Sequence, residues 1–224
     1  MNKRMLSFIT YSSVVIFSCI LATLIFLGCS NWSFVRGWIF CVSFCMPTFC
    51  ITAYFLRVDP ELIERRIFPK ETRPSQIVGQ GIAGLLFFGL ILISSIDHRF
   101  GWTGVPCAIS VLADICIVVG FVIVFKVFGV NSFASRAIET MINQKVITSG
   151  PYSIVRHPMY AGALLIILSI PLSLDSIIGM LPGVLLLVVI IFRIRDEEKM
   201  LLEELDGYKE YCEKCKYRVI PFIW

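Results

Sequence analysis

Gly150-Pro151-Tyr152-Ser153-Ile154-Val155-Arg156-His157-Pro158-Met159-Tyr160 is the densest polar patch in the chain that lies directly against a long apolar run. It follows the polar segment 135–149 and leads straight into the apolar residues 161–170. That order puts Arg156, His157 and Tyr160 at a membrane–water boundary, where a lipid-soluble molecule can meet a water-soluble one. A second polar cluster, Arg193-Ile194-Arg195-Asp196-Glu197-Glu198, stands just after the next apolar run. The two clusters read as one site that the remaining helices hold in the bilayer.

Between the clusters, residues 160–192 form one long apolar stretch carrying Pro171, Asp175 and Pro182. A single straight helix of that length would be about 50 Å long, against a hydrocarbon core of about 30 Å. Ser173-Leu174-Asp175-Ser176 therefore reads as the turn of a helical hairpin with two short arms.

Upstream, residues 8–27, 38–56, 77–96 and 105–125 are each long enough to span a bilayer. Pro47 is expected to kink the second span. Lys3 and Arg4 precede the first, and Leu27-Gly28-Cys29 after it resembles a lipobox; the run is long for a signal segment and more spans follow, so a retained helix is expected. Of the 224 residues 57% are hydrophobic and only 16% charged, with a mean hydropathy of +0.83. Soluble domains carry about a quarter charged residues, so this is the composition of an all-α integral membrane protein. The net charge of +4 is spread over flanks and loops and does not point to nucleic acid. Most of the nine cysteines (Cys19, Cys41, Cys45, Cys50 and Cys116 among them) lie inside apolar runs, where they act as small hydrophobes rather than a disulfide framework.

The charged segment 57–66 predicts an interfacial helix with Asp59 as its N-cap and Pro60 in its first turn. The tail from Arg193 onward opens as an amphipathic helix, with Leu201, Leu202, Leu205 and Tyr208 as candidate membrane-facing residues. With the N-terminus, loop 57–76, segment 126–159 and the tail on one side, that side holds 18 of the 20 basic residues; Arg36 and Arg99 fall opposite. The positive-inside rule makes the rich side cytosolic. A single fifth span would separate Glu197 and Glu198 from His157, so six crossings are expected, the last two being the hairpin arms.

Each polar constellation has a plain structural reading beside its functional one. Arg156 to Tyr160 could simply cap a membrane helix, with Pro158 in its first turn, Arg156 reaching headgroups and Tyr160 as an interfacial aromatic. Against that, imidazole beside Arg and Tyr offers convergent hydrogen-bonding groups in a loop specified by Gly150, Pro151, Pro158 and Gly162. Arg193, Arg195, Glu197 and Glu198 could be a solvated helix end; functionally, a carboxylate suits a ribose or amino group and a guanidinium a substrate anion. Asp114, in the middle of the fourth span, is either functional or a paired carboxyl. Gly79-Gln80-Gly81-Ile82-Ala83-Gly84 matches G-x-G-x-x-G, but no strand precedes it; small residues letting two helices approach closely is the expected reading. Cys212-Glu213-Lys214-Cys215 has no partner pair for zinc, and His98 is expected in a short outer loop without a specific role.

Thr148-Ser149-Gly150-Pro151-Tyr152, Arg156-His157-Pro158-Met159-Tyr160, Glu197-Glu198, Gly207, Tyr208, Tyr211 and Pro221 together resemble the isoprenylcysteine carboxyl methyltransferases, part of a wider group that includes phospholipid N-methyltransferases. The likeness covers residues 130–224 and sets that catalytic region apart from an N-terminal four-helix membrane region, 1–129. Asp59-Pro60-Glu61-Leu62-Ile63-Glu64-Arg65 resembles bacterial members. The resemblance implies S-adenosylmethionine (SAM) as methyl donor, held at the cytosolic face by the loop and the C-terminal helix. The implied cofactor residues are Gln144, Lys145, Val146, Ile147, Tyr152, His157, Pro158, Met159, Tyr160 and Glu198. The substrate-anchoring arginine falls on Arg195, with Arg193 the alternative. No general base is expected, because a carboxylate acceptor is already ionised at neutral pH. The implied acceptor is a lipophilic small molecule or lipidated substrate drawn from among the membrane lipids. The implied location is an inner or plasma membrane in a bacterium, or the endoplasmic reticulum in a eukaryote, with both termini cytosolic. Phospholipid or amine N-methylation, a sterol-type reductase of related fold, and a non-catalytic membrane protein are the alternatives.

Overall fold

The computed structural model describes residues 2–69, 71, 73–134 and 144–224, with only the backbone of Ser75. Lys70, Arg136 and the 135–143 part of the expected cytosolic loop lie outside the described residues. Eight α-helices occur among those residues: α1 Lys3–Cys29, α2 Val35–Val58, α3 Pro60–Ile67, α4 Pro74–Phe100, α5 Cys107–Val130, α6 Pro158–Ser173, α7 Met180–Glu204 and α8 Tyr208–Lys214. A 3-10 turn, Gly150–Ser153, precedes α6. α1, α2, α4 and α5 are long and apolar enough to cross a bilayer, so this is a membrane protein. α6 is apolar but only 16 residues long, about 24 Å at helical rise.

Local chemistry sets the helix ends. Proline, whose missing N–H costs nothing in a first turn, opens α3, α4 and α6. Asp59 caps α3 by accepting from the Leu62 N–H at 3.0 Å. Gly101, at φ 63°, ends α4 in the left-handed region. α2 continues through Pro47.

Short connections make successive helices run up and down. Residues 30–34, 101–106 and 174–179 therefore share one end, and the polar clusters the other. The core is apolar, with Leu21, Ile25, Phe40, Leu90, Ile117 and Ile170 fully enclosed. Near the polar end, Leu6, Phe55, Leu62 and Val127 form a second cluster that tucks α3 beneath α1, α2 and α5. α5 and α6 pack backbone to backbone: a Cβ on Gly120 would stand 2.7 Å from the Gly162 carbonyl oxygen, and one on Gly162 would stand 2.8 Å from that of Gly120.

Residues 173–176 do form the turn between α6 and α7, and it is fastened at the far end. Asp175, at φ 64°, accepts from the Val105 N–H at 2.8 Å, from Arg36, and pairs with His98 Nδ1 at 3.0 Å. His98 stacks on Phe34 with ring centroids 3.8 Å apart. The expectation of an idle His98 is thereby corrected: it sits in the last turn of α4 and grips the hairpin.

Two further expectations are corrected. The tail is not a separate amphipathic helix, because α7 runs unbroken from Met180 to Glu204. Leu201 and Leu205 pack against Tyr208, Tyr211 and Val146 rather than facing lipid, and only Leu202, at 54% exposure, points outward. The glycines of Gly79-Gln80-Gly81-Ile82-Ala83-Gly84 do not seat a helix crossing. A Cβ added at Gly79, Gly81 or Gly84 would meet nothing within 4 Å; the close crossing is between Gly120 and Gly162. Asp114 is a paired carboxyl, accepting from the Ser43 hydroxyl at 2.9 Å and from Ser173 at 2.6 Å.

Candidate active site

The loop before α6 is held by the C-terminal tail through two backbone hydrogen bonds. The Arg156 N–H donates to the Tyr217 carbonyl at 2.9 Å and the His157 N–H to that of Arg218 at 2.8 Å. His157 is the residue preceding Pro158, and its ring makes no capping bond, which leaves the imidazole to face α7. There Nε2 stands 3.4 Å from Glu198 Oε1. Arg156 Nε is 2.8 Å from the same oxygen, and Arg218 Nε donates to Glu198 Oε2 at 2.6 Å. Glu198 is only 6% exposed. Burial, the largest influence, pushes its carboxyl up, but the His157 and Arg218 hydrogen bonds and the nearby Arg156 charge outweigh it and bring it to about 2. Burial sends the Tyr152 phenol up to about 12, and Tyr208 and Tyr211 higher still. All three remain protonated hydrogen-bond donors at neutral pH.

Two cavities flank this loop. The smaller, about 100 Å³, is walled by Gln144, Lys145, Val146 and Ile147, by Tyr152, Arg156, His157, Pro158, Met159 and Tyr160, and by Glu197, Leu201, Tyr208 and Tyr211. Every residue expected at the cofactor lies on it except Glu198, which stands behind Arg156 and His157. Its neighbour Glu197 reaches the cavity instead, accepting from the Tyr160 hydroxyl at 2.7 Å. Tyr152 is fixed by Asn131, which donates to its hydroxyl at 2.7 Å, and by Tyr211, whose hydroxyl donates to the Tyr152 carbonyl at 2.7 Å. The buried Tyr208 hydroxyl has no hydrogen-bond partner among the described residues.

The larger cavity, about 660 Å³, opens between α4 and α7. Val78, Gly79, Ile82, Ala83, Gly84, Val189 and Ile190 give it an apolar body; Arg66, Gln76, Arg193 and Asp196 give it a polar end. Met159 and Tyr160 belong to the walls of both cavities. The Tyr160 hydroxyl, while donating to Glu197, accepts from Arg193 Nε at 2.8 Å, and Arg193 Nη1 donates to Gln76 Oε1 at 3.0 Å. Arg193 therefore lines the larger cavity, whereas Arg195 is exposed and lines neither.

Residues 108–208 match the model of the phospholipid methyltransferase family. The matched stretch runs from the first turn of α5 to the first residue of α8, taking in the hairpin, His157 and the Glu197–Glu198 pair. Over 92 residues the chain is also 30% identical to the Delta(14)-sterol reductase TM7SF2 of Mus musculus. That alignment covers 40% of this chain and 22% of the reductase, so the chain spans about a fifth of the relative it matches.

Sequence reasoning missed Gln76, Arg66, Asn131 and Arg218. Arg66 lies 4.6 Å over the Phe128 ring and donates to the Ala134 carbonyl at 3.3 Å. Gln76 could have been found as the polar residue just before the small-residue stretch of α4, and Arg66 as part of the charged segment of α3. Arg218 and Asn131 carry no spacing signal, since each reaches the site through tertiary packing.

Proposed function

We propose that this chain is a SAM-dependent membrane methyltransferase. Its smaller cavity holds SAM, and its larger cavity holds a lipophilic acceptor whose carboxyl oxygen is methylated, as for an isoprenylcysteine-like acid. The observation that carries this reading is the double wall: Met159 and Tyr160 separate a polar, aromatic cavity from an apolar one open along α4 and α7. A water-soluble donor and a lipid-borne acceptor can meet only at such a partition. The match of residues 108–208 to a methyltransferase family supports the same class.

The residues of the smaller cavity fit SAM chemically. Tyr152 and Tyr211 offer aromatic faces to a cation, Glu197 offers a carboxylate, and the unpartnered Tyr208 hydroxyl awaits an acceptor. The cavity's volume of about 100 Å³ is below the several hundred Å³ usual for small-molecule sites, so binding entails widening of the cavity. When bound, SAM supplies a methyl group made electrophilic by the sulfonium. The chain's part is positioning. Arg193 and Arg66 hold the acceptor's anionic oxygen at the polar end, and Tyr160, tied to both Glu197 and Arg193, keeps the partition in place. In-line alignment of this kind accounts for most of the rate such a reaction needs, and partial exclusion of water leaves the carboxylate a better nucleophile.

In the bilayer, α1, α2, α4 and α5 cross fully, the hairpin crosses twice, through the 16-residue α6 and the apolar first half of the 25-residue α7, and the polar end faces the cytosol. Two observations favour other acceptors or chemistry. Asp196 at the polar end suits an amine acceptor, as in phospholipid N-methylation. The partial identity to a sterol reductase favours reductase chemistry, for which a reduced nicotinamide is an ordinary hydride donor. Equilibrium binding of radiolabelled SAM and of a reduced nicotinamide to the purified protein separates the classes. Saturable SAM binding, weakened at least about tenfold by His157→Ala and Tyr160→Phe, is the expected result. Nicotinamide binding with none of SAM would overturn the methyltransferase reading.

A further inference from the structure

We propose, resting on the methyltransferase reading, that Arg218 is a positioning residue for SAM binding: it clamps Glu198 from the tail and so fixes His157 in the cavity wall. Arg218 lies outside the stretch that matches the phospholipid methyltransferase family, so this assignment comes from the geometry of this chain alone.

Three contacts make the clamp. The 2.6 Å bond from Arg218 Nε to Glu198 Oε2 leaves Oε1 for His157 and Arg156. The backbone carbonyl of Arg218 accepts from the His157 N–H at 2.8 Å, so one residue holds His157 from both its main chain and its ring partner. The guanidinium is itself seated over the Trp224 ring, 5.5 Å from its centroid. The next residue, Val219, is 2% exposed among Tyr160, Leu164, Ile190 and Ile194. The tail is thus anchored beside the contact, by Val219 in the core and by Trp224 beneath the guanidinium.

The charged and titratable groups facing Glu198 are Arg156 and His157 from the loop, Arg218 from the tail, and Tyr208 and Cys212 from α8; Glu197 is its neighbour on α7. The clamp predicts a pH signature. The folded Glu198 titrates at about 2, below its ordinary 4.5. Its contribution is therefore fully present above pH 4.5 and disappears as the pH falls towards 2. Without Arg218, burial of the carboxyl is opposed by fewer partners, so Glu198 protonates at a higher pH and the acid limb moves up.

The test uses the full chain in detergent, with labelled SAM binding measured from pH 4 to 8. Arg218→Gln is expected to weaken binding at neutral pH at least about tenfold, as for loss of a charge-assisted bond, and to bring the acid limb into the measured range. Arg218→Lys should recover part of the affinity and return the limb below pH 4. Lys216→Gln, exposed on the same tail, should behave as wild type. Wild-type affinity in Arg218→Gln overturns the proposal. So does a loss without a shifted limb or lysine rescue, which would mark Arg218 as merely structural. Should Arg218→Gln fail to fold, Glu198→Gln removes the clamped carboxylate from the other side. It must weaken SAM binding across the whole of pH 4 to 8 without bringing an acid limb into that range, and wild-type affinity there equally refutes the clamp. An unmutated protein that binds no SAM defeats the methyltransferase reading itself, and the proposal with it.

Discussion

Replacing Gly162 by alanine tests whether the α5–α6 crossing sets the position of the site. The added Cβ would lie 2.8 Å from the Gly120 carbonyl oxygen and 3.3 Å from Ile123 Cβ and Val124 Cγ2, where ordinary contact begins at 3.4 Å. The nearest atom is backbone, so relief requires the two helices to part by about 0.6 Å rather than a side chain to turn. Overpacking of this kind costs about 1–3 kcal/mol. Exchanging glycine for alanine within a helix returns about 0.5–1 kcal/mol. Gly81→Ala receives the same return with no contact, because nothing lies within 4 Å of its Cβ. The difference between the two variants therefore isolates the contact, about 1–3 kcal/mol, or roughly 2–4 °C of Tm per kcal/mol for a chain of this size. Thermal unfolding in one detergent measures it: Gly162→Ala should melt below wild type, and Gly81→Ala at or slightly above it. Because α6 begins at Pro158, the same shift should weaken SAM binding in Gly162→Ala and leave Gly81→Ala unaffected. Equal melting temperatures for the two variants would refute the backbone-to-backbone crossing.

The two arginines of the 193–198 cluster separate by the same logic. Arg193→Lys keeps the charge but loses the planar fork that reaches both Tyr160 and Gln76; it should raise acceptor KM while SAM affinity stays near wild type. Arg195→Lys should do neither, and the reverse pattern would move the substrate anchor to the exposed face. Accessibility labelling of single cysteines introduced at Lys145 and Lys216 should report one common side of the membrane, with a cysteine at Thr103 on the other. Finding Lys145 and Lys216 on opposite sides would break the shared site.

What the sequence made legible was local. Asp59-Pro60 and Pro158 announced helix starts, because a side-chain acceptor or a missing N–H acts within one turn. The hairpin turn at 173–176 was readable from length alone, since the 160–192 stretch is too long for one crossing. The residues expected at the cofactor emerged only through family likeness, and the fold brings all of them but Glu198 to one cavity. What stayed illegible depends on a partner distant in sequence. G-x-G-x-x-G looks the same whether its glycines seat another helix or border a cavity, and here the crossing uses Gly120 and Gly162. Leu201, Leu205 and Tyr208 read as a lipid-facing stripe because their real partners, Val146 and Tyr211, come from a loop and from the helix after Gly207. Arg218 gave no signal, because its backbone contact with residue 157 obeys no period along the chain.

The adjacent carboxylates show how much a single helical step decides. Glu197 and Glu198 are about 100° apart around α7, so they cannot share a face. The fixed orientation of α7 turns Glu197 to Tyr160 and the small cavity, and Glu198 to Arg156, His157 and Arg218. That orientation is set far away, where Asp175 ties the hairpin turn to Arg36, His98 and the Val105 N–H. The two carboxylates thereby hold different tasks: one is buried and stays ionised across the physiological range, holding the loop, while the other stands at the partition between the cavities. A rotation of α7 large enough to exchange them would also withdraw Arg193 from Tyr160 and Gln76, dismantling the polar end of the larger cavity. The division of labour within the acidic pair and the shape of the lipid-facing cavity are therefore a single structural variable, the rotation of α7 about its own axis.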